Sequence, residues 1–243
     1  MTAIILAAGV GKRLHAASGG RPKCLIEIGG RSLLQRLLDS LAASGVDEAV
    51  VVTGFDAESV RRALAAAPAS LPVRTLFNAR FREGAILSLA TARELLDRPV
   101  LIMDADVLCP DAMIERLVRS PKRNCFLLDG RVAGSGEEQM LMARDGRVFD
   151  IARNAKPGYD TVGESVGFLK LDAAAARLLR DLLDARIAAG HTGIEHEEVY
   201  PELLARVHVG FERADGMPWT EIDFPDDVAR AETEVLPRLA PGR

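Results

Sequence analysis

Small residues and two well-spaced cations open the sequence in an order that could grip a phosphate. Leu6-Ala7-Ala8-Gly9-Val10-Gly11-Lys12-Arg13-Leu14 is followed by Arg21-Pro22-Lys23-Cys24-Leu25. Ala7, Ala8 and Gly9 carry almost no side chain, so a flat ring or a phosphate can approach the main chain and be met by its N–H groups. Arg13 adds a guanidinium fork and Lys23 a point charge, which together offset triphosphate oxygens and the charge that builds on a departing pyrophosphate. A second reactive stretch is Asp104-Ala105-Asp106. Two residues apart where a strand meets its loop, both carboxylates point the same way and one can reach a hard cation; Mg²⁺ needs only one or two beside waters and phosphate oxygens. A third stretch, Trp219-Thr220-Glu221-Ile222-Asp223-Phe224, alternates polar and apolar residues as a strand does. Asp226 and Asp227, just after Pro225, read as first-turn acids that favour a helix dipole.

The opening loop is neither of the two commoner phosphate loops. A Walker loop needs Ser or Thr after Gly-Lys, where Arg13 stands, and the dinucleotide fingerprint needs a third glycine where Leu14 stands. A bare Gly-x-Gly also fits a plain turn, so the flanking elements matter. Residues 4–8 read as a buried strand, 32–41 as a helix with leucines at helical spacing ended by Gly45, and 49–53 as a second buried strand. A helix over 57–67, a strand over 73–77, a helix over 84–96 and a strand over 100–103 follow. Strands and helices alternate, which predicts a mainly parallel sheet with helices on both faces and a ligand beyond the carboxyl ends of the strands. The second half changes character. Strands over 138–143 and 147–151 flank Asp145-Gly146, a hairpin signal, and a strand over 165–171, helices over 173–189 and 195–205, a strand near 207–211 and a helix from Asp226 complete the chain. We expect one domain: a nucleotide-binding half over 1–130, an acceptor-binding lid over 131–224 and a C-terminal helix over 225–243.

Composition narrows the classes. With 243 residues, 48% of them hydrophobic, the chain can bury a large core, and a formal charge of −4 with no long basic block argues against a nucleic-acid surface. Cys24, Cys109 and Cys125 are odd in number and lack metal-ligand spacing, so they read as small apolar residues. No run approaches the roughly 18 apolar residues that span a bilayer, so no membrane insertion is expected and the expected setting is cytoplasmic. The histidines at 15, 191, 196 and 208 show no ligand spacing, and His15 is read at most as a loop residue near a triphosphate.

Taken whole, Leu-Ala-Ala-Gly-x-Gly-x-Arg-Leu with Pro-Lys-Cys-Leu after it resembles the signature of the sugar-phosphate and alcohol-phosphate nucleotidyltransferases. The likeness runs from residue 3 to about residue 232. It implies the nucleotide-diphospho-sugar transferase fold, a Rossmann-like, mixed but mainly parallel sheet, with Leu6, Ala7, Ala8, Gly9, Gly11 and Asp104 around the nucleotide. It also implies that Asn78, Gly84, Ala85 and Ser88 read the base, with Glu83 replacing the more usual polar residue. The metal would sit on Asp106 and Asp223. Lys156 resembles the lysine that neutralises the second substrate's phosphate, and Gly163-Glu164-Ser165 resembles the stretch flanking the acceptor pocket.

The reaction this implies joins a nucleoside triphosphate, CTP above others, to a small phosphorylated alcohol or phosphonate with release of pyrophosphate. Mg²⁺ is the expected metal and Mn²⁺ a substitute, in a monomer or homodimer. Lys23 and Arg13 are the catalytic cations; Lys156, Glu164, Glu197, Trp219 and Glu221 are the acceptor candidates, with Glu198 beside them. The pattern looks more like the cytidylyltransferases for phosphocholine, aminoethylphosphonate or inositol phosphate than the longer sugar-nucleotide enzymes. With two Tyr and one Trp an aromatic cage is poorly supplied, so carboxylates would have to attract a cationic head group. A UTP- or GTP-dependent sugar-phosphate enzyme and a non-catalytic nucleotide-binding regulator remain as alternatives.

Overall fold

The computed structural model describes residues 1–14, 19–131 and 138–239; His15 and the Gly/Ser-rich run at 133–136 lie outside them. Strand β1 (Thr2–Ala7) leads into the loop, then a 3-10 turn (Lys23–Leu25) and a small hairpin of β2 (Glu27–Ile28) and β3 (Arg31–Ser32). Helix α1 (Leu33–Ala43) follows, capped by the Ser32 hydroxyl, which accepts from the Gln35 N–H at 3.1 Å, and buries Leu33, Leu34, Leu37, Leu38 and Leu41. Each buried leucine contributes about 2 kcal/mol of transfer free energy, more than any cap. Next come β4 (Glu48–Thr53), α2 (Ala57–Ala66), β5 (Val73–Phe77), α3 (Ile86–Thr91), β6 (Val100–Asp104), β7 (Val107–Leu108), α4 (Asp111–Arg119) and β8 (Cys125–Asp129).

β1, β4, β5 and β6 are parallel and in register, with β1 between β4 and β6. Alternate residues feed two cores: Ile4, Val50, Val52 and Ile102 face one side, Ala3, Ile5, Val51 and Met103 the other. Burial on both faces explains why β1, β4 and β6 read as largely apolar runs, whereas β5, at the end of the sheet, carries Arg74 and Thr75.

The second half contributes β9 (Met140–Arg144), β10 (Arg147–Ala152), β11 (Thr161–Leu171), α5 (Ala173–Ala188), a 3-10 turn (His196–Val199), α6 (Tyr200–Leu204), β12 (Gly210–Arg213), β13 (Thr220–Glu221) and α7 (Pro225–Arg230). Its longer strands extend the same sheet. β11 runs antiparallel to β6, β8 and β9, giving the order β10-β9-β11-β6-β1-β4-β5 with β8 joining β11 to β12. Three expected elements come out shorter. The helix over 84–96 stops at Thr91, whose hydroxyl donates to the Leu87 carbonyl at 2.7 Å, and a 3-10 turn (Arg93–Leu95) follows. The helix over 195–205 begins as a 3-10 turn and becomes α-helical beside Pro201, which supplies no N–H. The strand over 219–224 is only Thr220–Glu221: the Ile222 N–H still donates to the Asp106 carbonyl, but the Asp223 and Phe224 N–H groups turn to the Asp227 carboxylate. The C-terminal segment packs Ala231 and Val235 against Leu14, Ile28 and Leu33, bracing the end of the opening loop.

No helix among the described residues is long and apolar enough to cross a membrane. Cys24 and Cys125 are buried and Cys109 is half-buried.

Candidate active site

The carboxyl ends of β1 and β6 open onto a cleft of about 670 Å³, a size suited to a small-molecule substrate. Leu6, Ala7, Ala8, Gly9, Gly11 and Arg13 form one wall. Gly11 sits at φ +59°, and a Cβ there would lie 3.0 Å from Lys23 Cγ, so the glycine lets the loop fold over the lysine stem. The 3-10 turn that carries Lys23 is anchored by buried Cys24. Arg13 stacks its guanidinium over the Phe224 ring, 5.0 Å from the centroid.

A two-residue ribbon assembles the acids. Thr220 and Glu221 pair antiparallel with Leu108 and Val107, and the Ile222 N–H donates to the Asp106 carbonyl at 3.0 Å. Asp106, Glu221 and Asp223, far apart in the chain, thereby bring one carboxylate oxygen each within 4.8 Å of the others. The Asp223 backbone is fixed by Asp227, whose carboxylate accepts from the Asp223 N–H at 2.9 Å and the Phe224 N–H at 2.8 Å. Asp227 is thus the first-turn acid that the sequence suggests, and its carboxylate also holds the backbone that enters the helix. Lys23 Nζ donates to Asp106 at 3.1 Å and forms an ion pair with Asp223.

These carboxylates demand a cation. Burial opposes the Lys23 charge, but Asp106 and Asp223 outweigh it and hold the ammonium above its ordinary range. Glu221 faces the cleft, yet desolvation by the surrounding wall, then the Asp106 and Asp223 charges, push its carboxyl up to about 9. Burial and then Glu197 push Asp104 well up. An all-oxygen donor set around a spot already held by an ammonium fits a hard divalent ion such as Mg²⁺.

The remaining expected residues divide. Gly84, Ala85, Ser88, Asp104, Glu164 and Glu197 line the cleft. Asn78 lies outside the cleft lining, its amide donating to Ser88 Oγ at 3.1 Å and accepting from the Arg80 N–H at 2.9 Å, so it ties the start of the loop after β5 to helix α3. Trp219 also stands outside the lining, because its indole N–H donates to Asp129 at 2.9 Å while its ring packs on the core. Lys156 is displaced too: its side chain is 59% exposed and paired with Asp150. Glu198 is spent on the Glu195 N–H at 3.0 Å. Residues without an assigned role in the sequence also line the cleft: Arg153, Glu138 and His196. Glu138 follows another glutamate and His196 lies within Glu195-His196-Glu197-Glu198, runs whose charge could have drawn attention. A smaller hollow of about 370 Å³ between α1 and α2 contains none of the expected residues.

A bend in β11 completes the floor. Register shifts between Ser165 and Leu169, and Gly167 between them has φ +78° with a hypothetical Cβ only 2.4 Å from Asp104 Oδ2. Gly167→Ala is expected to lower stability by about 1–3 kcal/mol, from strain at a left-handed position and displacement of Asp104. An unchanged urea midpoint would remove Gly167 from this role.

The model of the MobA-like NTP transferase domain matches residues 3–157. The bifunctional IPC transferase and DIPP synthase of Rubrobacter xylanophilus is 33% identical over 246 residues, covering 99% of this chain and 53% of that protein. The CMP-5'-(3-aminopropyl)phosphonate synthase of Streptomyces rubellomurinus is 29% identical, covering 97% of this chain and 39% of that protein. The chain thus spans about half or less of these relatives. Among solved structures, the CTP:phosphocholine cytidylyltransferase of Streptococcus pneumoniae superposes with a TM-score of 0.78 at 22% identity, covering 95% of this chain and 97% of that one. That likeness shows a shared fold.

Proposed function

The chain belongs to the MobA-like NTP transferase family, a nucleotidyltransferase, and from that membership we propose that it transfers a cytidylyl group from CTP to a small phosphorylated alcohol or phosphonate. One observation carries the reading: Lys23, Asp106, Glu221 and Asp223 converge beneath a small-residue loop at the strand ends. The relatives' names, a phosphonate synthase and a phosphocholine cytidylyltransferase, support the acceptor class. Pyrophosphate release is the test, with four nucleoside triphosphates against phosphocholine, aminoethylphosphonate, inositol phosphate and hexose phosphates. Turnover only with UTP or GTP and a sugar phosphate favours the sugar-nucleotide alternative; binding without turnover favours a regulator.

In the proposed reaction an acceptor oxygen, already ionised near neutral pH, attacks the α-phosphorus. The bond from that phosphorus to the bridging oxygen breaks, and pyrophosphate leaves with the electron pair. No general base is required. The loop N–H groups and Arg13 hold the β- and γ-phosphates, and Lys23 turns its ammonium to the α-phosphate. Positioning and charge stabilisation supply the rate. Asp106 and Asp223, with Glu221 beside them, would hold Mg²⁺ or Mn²⁺, which supplies neutralisation of phosphate charge. The segment over 131–224 serves as the acceptor side.

Arg153 takes the acceptor phosphate in place of Lys156, since it lines the cleft while Lys156 is held by Asp150. Arg153→Ala is expected to raise the acceptor KM about tenfold or more and Lys156→Ala by less than about threefold. The reverse order in steady-state assays would restore Lys156.

Glu164 and Glu138 face the acceptor side and favour a cationic head group. Burial and then Glu138 push the Glu164 carboxyl up to about 7. It therefore ionises as pH rises through 7, and the KM for an amine-bearing acceptor is expected to fall between pH 6 and 8, whereas Glu164→Gln gives a flat profile. The sign for stability is opposite. The unfolded chain loses this proton near its ordinary pKa of about 4.5 and the folded one near 7, so stability declines across that window and Glu164→Gln is expected to melt higher at pH 8. Identical pH profiles for both proteins would exclude Glu164 from acceptor binding.

A further inference from the structure

His196 marks a second cluster, distinct from the one around Lys23. Asp104 closes β6, and His196 and Glu197 open the 3-10 turn that leads into α6; one donor atom from each lies within 4.8 Å of the other two. The His196 residue is 5% exposed, and its ring is held edge-on to Tyr200 with centroids 5.6 Å apart at 81°. Its Nδ1 is buried and makes no hydrogen bond, although Glu197 Oε2 is 3.1 Å away. A donor and an acceptor that close would normally align. Two ligands of one ion do not point at each other; with arms of about 2.1 Å, such a separation corresponds to an angle of about 95° at the ion.

We propose that Asp104, His196 and Glu197 form a second divalent-cation site. One imidazole nitrogen with two carboxylate oxygens suits a borderline ion such as Zn²⁺, Co²⁺ or Mn²⁺ better than Mg²⁺, which prefers oxygen alone. The point central to three atoms this close is within about 2.8 Å of each, too near for a quaternary ammonium with its methyl shell but right for a metal. All three residues line the cleft, so an ion there keeps an open position for a ligand oxygen. The strand preceding Asp104 lies in the sheet, and the turn carrying His196 is fastened to the base-side segment by the Ile86 N–H, which donates to the Ile194 carbonyl at 3.1 Å. A close approach of Gly84 to the Thr192 carbonyl reinforces that join: a Cβ on Gly84 would lie 2.0 Å from it. The site is thereby rigid before any substrate arrives.

Co²⁺ titrated into metal-free Asp106→Asn/Asp223→Asn protein, with neither substrate present, tests this. The expected result is one Co²⁺ per chain with visible d–d bands, and at least tenfold weaker binding after adding either His196→Ala or Glu197→Gln. Circular dichroism melts check folding, and Glu197→Gln serves if His196→Ala does not fold. Absence of bound Co²⁺, equal binding by the folded His196 or Glu197 variants, or displacement by an equal concentration of Mg²⁺ overturns the proposal. Since no nucleotide is involved, such failure leaves nucleotidyl transfer standing. Absence of turnover by the wild-type protein in the pyrophosphate screen, with the Co²⁺ site intact, counts against the transfer reading alone.

Discussion

Asp106→Asn and Asp223→Asn are each expected to lower kcat by about a hundredfold or more while the fold persists. The amide keeps the size of the carboxylate and removes its charge, so the ribbon between β7 and β13 has no steric reason to open. What changes is the demand for a cation beneath the triphosphate. Because both acids address the same Lys23 ammonium and the same proposed metal, their effects belong to one unit, and the double variant is expected to lose much less than the product of the single losses. Chelation by EDTA is expected to abolish wild-type turnover, with recovery on adding Mg²⁺ or Mn²⁺. Pre-steady-state measurement of the chemical step with each variant checks the assignment; wild-type kcat in either variant, or full turnover in metal-free buffer, rejects it.

The parts legible in the sequence were local. The loop from Leu6 to Leu14 and the Lys23 segment lie close together in the chain, and their chemistry follows from residue type alone. Strands β1, β4 and β6 announced themselves because burial on both faces leaves polar residues only at their ends. Asp106 could be placed at a strand end by pattern, but the partnership with Asp223 came from a family resemblance; only the pairing of Thr220–Glu221 with Val107–Leu108 shows what joins them. Lys156 illustrates the limit in the other direction. Family resemblance attracted attention to it, but Asp150, six residues earlier, captures its ammonium, while Arg153 lines the cleft. His196 drew no ligand reading although Glu195, Glu197 and Glu198 flank it, since Asp104 approaches it only through the packing of the turn against the strand end. Such contacts arise from loop closure and side-chain packing, for which spacing along one chain contains no measure.

Lys23→Ala is expected to reduce kcat/KM by about two orders of magnitude, roughly 3 kcal/mol of transition-state stabilisation. A solvated surface lysine would cost almost nothing, and Lys23 is not one: its side chain is only 21% exposed. Its removal also leaves Asp106, Glu221 and Asp223 facing one another without the ammonium, so the variant should be less stable at neutral pH than a surface substitution permits. Two observations then separate its roles. If Lys23 acts only as a spacer between carboxylates, millimolar Mg²⁺ should restore both the melting temperature and turnover of Lys23→Ala. If it also stabilises charge on the reacting phosphate, Mg²⁺ should restore stability while kcat stays depressed, and Lys23→Arg should fold well yet recover little activity, because a planar fork cannot place one point charge where the ammonium sits. Thermal melts with and without Mg²⁺, alongside single-turnover rates, decide the matter; wild-type kcat/KM in Lys23→Ala would end the catalytic assignment.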